Sequence, residues 1–115
     1  METGFGWIRV GHTTHEHDVI IHADGSVTKR SKKRSKALKG EYGHTPLSDE
    51  ELGFLDGERP ERVYIGTGQY GDLPLTPKAR RILQAFAAKI GPTPEILPEL
   101  EREKGRYVAI LHVTC

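Results

Sequence analysis

One segment constrains this chain more than any other. Arg106-Tyr107-Val108-Ala109-Ile110-Leu111-His112-Val113 is almost continuously apolar. A strand with one wet face alternates apolar and polar residues, so an uninterrupted run predicts a strand covered on both faces. Glu61-Arg62-Val63-Tyr64-Ile65 is a second such candidate and enters Gly66-Thr67-Gly68-Gln69-Tyr70-Gly71. A sheet buried on both faces requires three layers.

The remaining segments fill those layers. Trp7–Val10 and Asp18–His22 are predicted strands; Asp24-Gly25 is a hairpin signal, and Ser26–Arg30 is the returning strand. Together they form an N-terminal antiparallel unit. Ser48-Asp49-Glu50-Glu51 carries a capping-box signature for a short helix. Thr76-Pro77 caps another, whose spacing of Ala79, Ile82, Leu83 and Phe86 extends by propensity to Lys89. Thr93-Pro94-Glu95 offers a third cap, opening a helix to about Glu103. Alternating strands and helices in the second half imply a partly parallel sheet with crossover helices. The expected fold is therefore α/β: a single three-layer domain over residues 1–115 with a mixed central sheet, an N-terminal antiparallel hairpin and crossover helices.

Composition narrows the function classes. A net charge of +1 gives no global field to attract a polyanion, so charged partners must be met by a local patch. Such a patch exists: Lys29, Arg30, Lys32, Lys33, Arg34, Lys36 and Lys39 are seven of 17 basic residues, expected as a solvated loop or frayed extension. No aromatic residue interleaves it to stack on bases, so nucleic acid is the lesser expectation. The single cysteine, Cys115, makes no internal disulfide. The start of the chain lacks a signal-peptide pattern and no stretch is long enough to span a membrane, so a cytoplasmic location is expected.

Three motifs in fixed order carry a resemblance. His17-Asp18-Val19-Ile20-Ile21 with Asp24-Gly25, then Val63–Gly71, then Ala109-Ile110-Leu111-His112-Val113-Thr114-Cys115 resemble the Mth-nine-three-eight-like (Mth938-like) domain. That family comprises uncharacterised archaeal and bacterial proteins, an animal adipogenesis-associated domain protein and a mitochondrial complex I assembly factor. The resemblance covers nearly the whole chain and implies a compact three-layer α/β domain. It also implies a short strand within residues 86–90, ahead of the Pro92-Thr93-Pro94-Glu95 turn, where Ala85, Ala87 and Ala88 favour helix. The Tyr-Gly-Thr-Ser-His-like segment of relatives is here Tyr42-Gly43-His44-Thr45-Pro46, with the histidine displaced. No enzymatic activity is agreed for the family.

The residues themselves leave two functional readings open. The first is a non-catalytic interaction or assembly-type domain with a protein partner or self-association, since no triad, carboxylate pair or metal set stands out. The second is a binder of, or enzyme on, a small anionic ligand. Gly66-Thr67-Gly68-Gln69-Tyr70-Gly71 matches G-x-G-x-x-G after a strand, but Asp72-Leu73-Pro74-Leu75 separates it from the helix and Phe86 stands where an acidic residue is needed. A dinucleotide site is thus not expected, and no other cofactor is. Amides of Gly66, Thr67, Gly68 and Gly71 could still form an anion-binding nest, covered by Tyr70 and assisted by Lys29 and Arg30. His12, His15 and His17 form a polar turn rather than a zinc site, because alternation on a strand places only His15 and His17 on one side. His112 shares a side with Thr114 while Cys115 points away, so a Cys–His pair is not expected and a hydrogen-bonded histidine is.

Overall fold

A computed structural model describes residues 1–115. The central sheet has five strands: β4 (Val19–Ile21), β5 (Val27–Lys29), β6 (Arg62–Thr67), β7 (Lys89–Gly91) and β8 (Tyr107–His112), ordered β5-β4-β8-β6-β7. β6, β7 and β8 run parallel, and β4 is antiparallel to both β8 and β5. β8 is the middle strand, as its apolar run requires. Its register against β6 pairs Val63 with Val108 and Thr67 with His112.

Alternation along these strands sorts their side chains into two cores. Val63, Ile65, Val108 and Ile110 face Leu47, Leu55, Ala79 and Leu83, under α2 (Phe54–Glu58) and α3 (Pro77–Ala85). Tyr64, Ala109, Leu111, Val19 and Ile21 face Ile8, Ile96, Leu97 and Leu100, under α4 (Thr93–Arg102) and a small antiparallel sheet. That sheet is β1 (Glu2–Gly4), β2 (Trp7–Val10) and β3 (Thr13–His15). The expected three-layer α/β architecture is therefore present, with one revision. β2 pairs with β1 and β3 instead of joining the β4–β5 hairpin, which belongs to the central sheet.

Two helices differ from their capping signals. The Ser48 signal opens only a 3-10 turn over Asp49–Glu51, and the Ser48 side chain makes no cap bond. Ser48 and Glu51 serve a buried ion network instead. Thr93 does not cap α4: its hydroxyl donates to His112 O at 2.7 Å and accepts from the Gly68 amide at 3.0 Å. Thr76 caps α3 as its position predicts, accepting from the Ala79 amide. Propensity would carry α3 on to Lys89, but it ends at Ala85, Ala87 takes a positive φ, and β7 follows. Pairing of Tyr64, Ile65 and Gly66 with Lys89, Ile90 and Gly91 outweighs the preference of a few alanines. No helix is long and apolar enough to cross a membrane.

Candidate functional site

The site grows from the end of β8. His112 is the one polar residue of that strand held deep in the fold, and a buried imidazole needs partners. Its Nδ1 lies 2.7 Å from Asp18 Oδ2, and its Nε2 lies 3.2 Å from Thr114 Oγ1. Asp18 sits just ahead of β4, so strand pairing between β4 and β8 brings the two together from opposite ends of the chain.

Asp18 is the hub. Its Oδ1 accepts the Val113 amide at 2.9 Å, and its Oδ2 also accepts from Arg30 Nη1 at 2.8 Å. Burial alone would raise its carboxyl. The hydrogen bond and charge of His112, the Val113 amide and Lys32 outweigh that and hold it well below the usual carboxylate range. Arg30 is equally enclosed. Its Nε and Nη2 grip Glu51 at 2.7 and 2.9 Å, and Nη2 also donates to Pro46 O. Burial would lower its affinity for the proton, but Glu51 and then Asp18 raise it. Glu51 Oε2 further accepts from Ser35 Oγ at 2.5 Å, and Ser35 meets Ser48 at 2.6 Å. Two carboxylates thus share one guanidinium, and their other oxygen contacts go to the Val113 amide, His112 and Ser35.

This network fastens the basic segment to the domain. Arg30 is 2% exposed and Ser35 fully buried. The segment is therefore neither frayed nor a plain solvated loop, and it ends in a 3-10 turn over Lys36–Leu38 and the single turn α1 (Lys39–Tyr42). Between it and the ends of β4 and β8 lies a cleft of about 710 Å³, lined by Lys29, Lys32, Lys33, Lys36 and Lys39, with Val113 its one hydrophobic residue. Only Lys32 of the five reaches a carboxylate, Asp18 at 3.7 Å. A smaller pocket of about 170 Å³ adjoins it; Lys32, Lys39, Thr45 and Thr114 line both. His112 and Cys115 line only the smaller one.

Solved structures with the same fold identify the relationship. A conserved hypothetical protein, PH1505 from Pyrococcus horikoshii OT3, is 33% identical with a TM-score of 0.86, and the alignment covers 100% of this chain and 98% of that one. The protein MT938 is 32% identical with a TM-score of 0.82, covering 100% of this chain and 96% of that one. The chain belongs to the Mth938-like domain family. A third structure, from Bordetella pertussis, is described as a Mth938-like domain; at 23% identity and a TM-score of 0.51, over 95% of this chain and 81% of that one, it shares the fold. These relatives are themselves of unknown function. No protein-family model and no curated protein matches the chain.

In this Mth938-like domain the glycine loop does a different job from an anion nest. The Gly68 amide is taken by Thr93 Oγ1, that of Gln69 by Thr114 O, and those of Tyr70 and Asp72 by Cys115 O. The Gly71 amide turns back to Gly68 O. Thr67 is buried at 5% exposure, and Tyr70 points outward at 73%, its ring 6.3 Å from that of Phe5. The loop amides therefore hold the tail of the chain rather than a guest. Gly66 is a packing glycine: a Cβ there would meet Thr93 Oγ1 at 2.5 Å, so its lack of a side chain lets α4 close on β6.

Of the residues singled out from sequence, Gly66, Thr67, Gly68, Tyr70 and Gly71 thus lie apart from the cleft. Lys29 lines it through an exposed side chain. Arg30 borders it, but all three guanidinium nitrogens are engaged, so the cleft's open charge comes from lysines. Asp18, Glu51, Ser35 and Ser48 were not legible as one group, because three separated segments supply them. The available signal was His112, a polar residue in an apolar run. His15 and His17 have ring centroids 5.5 Å apart, and no set of three or more His, Cys, Asp or Glu side chains converges as metal ligands. Cys115 Sγ faces His44 Nδ1 at 3.9 Å instead of His112.

Proposed function

We propose that this domain binds a small anionic ligand, and that the ligand sits in the lysine cleft beside Asp18 and His112. The carrying observation is the excess of positive charge: five lysines line one cleft against two carboxylates, Glu16 and Asp18, and only Asp18 lies at ion-pair distance from any of them. Like charges held together cost free energy, and an anion entering among them relieves that cost. The buried Arg30–Glu51–Asp18 clamp supports the same reading, because it fixes the segment that carries all five of those lysines. A concave, polar wall with few apolar residues favours phosphate or carboxylate groups over an apolar ligand.

Thermal shift with inorganic phosphate, pyrophosphate and citrate tests this. A ligand present at 100 times its Kd stabilises the folded state by about 2.7 kcal/mol. At least one of these anions should raise the melting temperature at low millimolar concentration. The effect should fade in added sodium chloride and disappear in K33A/K36A/K39A. Equal shifts in the parent and triple variant would place the anion elsewhere.

An interaction or assembly role is the second reading, and a different surface favours it. Phe5 and Tyr70 are exposed at 61% and 73% beside one another, and Ile90 is half-exposed on the edge strand β7. Neighbouring apolar groups left in water, and an unpaired strand edge, are each what a partner or a second copy would cover. Light scattering at increasing concentration is expected to show association that Phe5→Ser with Tyr70→Ser removes; a strictly monomeric parent would end self-association as an explanation.

A further inference from the structure

We propose that Asp18, His112 and Thr114 form a nucleophile relay, with Thr114 Oγ1 accepting an acyl group from a small ester in the smaller pocket. The proposal uses the geometry at the end of β8 and does not depend on which anion the lysines bind.

The direction of the relay follows from the hydrogen bonds. Asp18 has no proton to give: Oδ1 is held by the Val113 amide and Oδ2 by Arg30. The Asp18–His112 bond therefore requires the hydrogen on Nδ1, and in the neutral ring this leaves the lone pair on Nε2. That lone pair meets Thr114 Oγ1 at 3.2 Å, so the threonine hydroxyl donates to it. A carboxylate orienting an imidazole whose far nitrogen accepts from a hydroxyl is the arrangement that activates oxygen nucleophiles on unrelated folds.

The surroundings fit that use. The Gln69 amide fixes Thr114 O at 2.9 Å, so the hydroxyl is carried on a pinned backbone although it lies beyond the strand. Gly68 brings the loop against the His112 ring, where a Cβ would stand 2.8 Å from Cδ2. Thr114 is partly exposed and lines both the small pocket and the cleft, so it is reachable from solvent. Lys32 and Lys39 line the same pocket, with Asp72 its one acidic side chain, so positive charge is available near an oxygen that becomes negative.

The step balances without a cofactor. The Thr114 proton passes to His112 Nε2 as Oγ1 bonds to the ester carbonyl carbon, whose π pair moves to its oxygen. When that pair returns, the carbon–oxygen bond to the alcohol breaks, and the alcohol leaves with its electron pair and the proton from Nε2. Water then yields a proton to Nε2, attacks the acyl carbon, and the bond to Oγ1 breaks as Thr114 recovers its proton. The net reaction is ester plus water to acid plus alcohol. Asp18 is the positioning residue, and His112 and Thr114 touch the reacting atoms.

The test uses p-nitrophenyl acetate on the Cys115→Ser chain, so that the thiol cannot react. Saturable release of p-nitrophenolate is expected, either with turnover or with one acetyl group mapped to Thr114 by peptide mass. Thr114→Val should lower that rate by about 10²-fold or more, the usual size of a general-base contribution. Thr114→Ser should retain it, and inorganic phosphate should inhibit only if the cleft also binds anions, which separates the two proposals. His112→Gln should match Thr114→Val; because His112 is buried, Thr114→Val decides the matter if His112→Gln does not fold. Acetyl groups found on lysines alone, at a rate linear in ester and unchanged in Thr114→Val, would overturn the relay.

Discussion

Asp18→Ala is expected to destabilise the domain by about 3–5 kcal/mol, the range found when one partner of a buried ion pair is removed. One carboxylate here meets three donors: Arg30 Nη1, the His112 ring and the Val113 amide. Alanine leaves all three facing a hollow that is nearly closed to water, since Asp18 is 4% exposed. Glu51 still compensates the Arg30 charge, which keeps the loss from growing larger. A small domain has only about 5–15 kcal/mol in total, so the variant should lie near the limit of folding. Urea unfolding measures the effect directly. A loss under about 1 kcal/mol would mean that the network is solvated and contributes little.

The same residue sets an acid limb. Its folded carboxyl titrates well below the unfolded value of about 3.9, so its contribution is complete above that pH. The contribution shrinks as acid protonates the unfolded chain first, and it is gone once pH falls through the depressed folded value. Urea midpoints taken from pH 6 down to pH 2 should therefore decline more steeply in the parent than in Asp18→Asn, and the two curves should converge toward the acid end. Parallel curves would show that another carboxylate governs acid unfolding.

How much of this was legible in the sequence divides along physical lines. β8 and β6 were readable because burial on both faces imposes an apolar run, a local signal that depends on nothing far away. Thr76 and Pro77 were readable for the same reason, since a cap and the first turn it serves are neighbours. β7 was visible only through the family resemblance, because its three residues owe their extended form to pairing with β6. Glu51 misled for the opposite reason: three positions after Ser48 it satisfies a local capping rule, yet Arg30 from 21 residues away offers a charged fork that a backbone amide cannot match. The glycine loop misled because a run of glycines states that backbone comes close to something and not what that something is. Here it is the chain's own Thr114 and Cys115.

Gly68→Ala should accordingly be among the most damaging single-methyl additions in the molecule, with a loss of more than about 3 kcal/mol from two sources. The first is local: φ at Gly68 is +102°, where an alanine is strained whatever its surroundings. The second is steric. The new Cβ would stand 2.3 Å from Thr114 O and 2.5 Å from the carbonyl carbon of Cys115, both main-chain atoms with no rotamer to swing away. Relief requires the tail to leave, and with it go the acceptors of the Gln69, Tyr70 and Asp72 amides. Hydrogen exchange should therefore show those three amides losing protection, while amides in the middle of β6 and β8 keep theirs if the variant still folds. Gly53→Ala is the control, since it has open space around it and a negative φ. Displacing Thr114 would also separate its hydroxyl from His112, so Gly68→Ala should abolish any acyl transfer even where a folded population survives. A variant that keeps parental stability and a protected loop would show that the tail is not anchored by these bonds, and the relay would then lose the fixed backbone on which its nucleophile is carried.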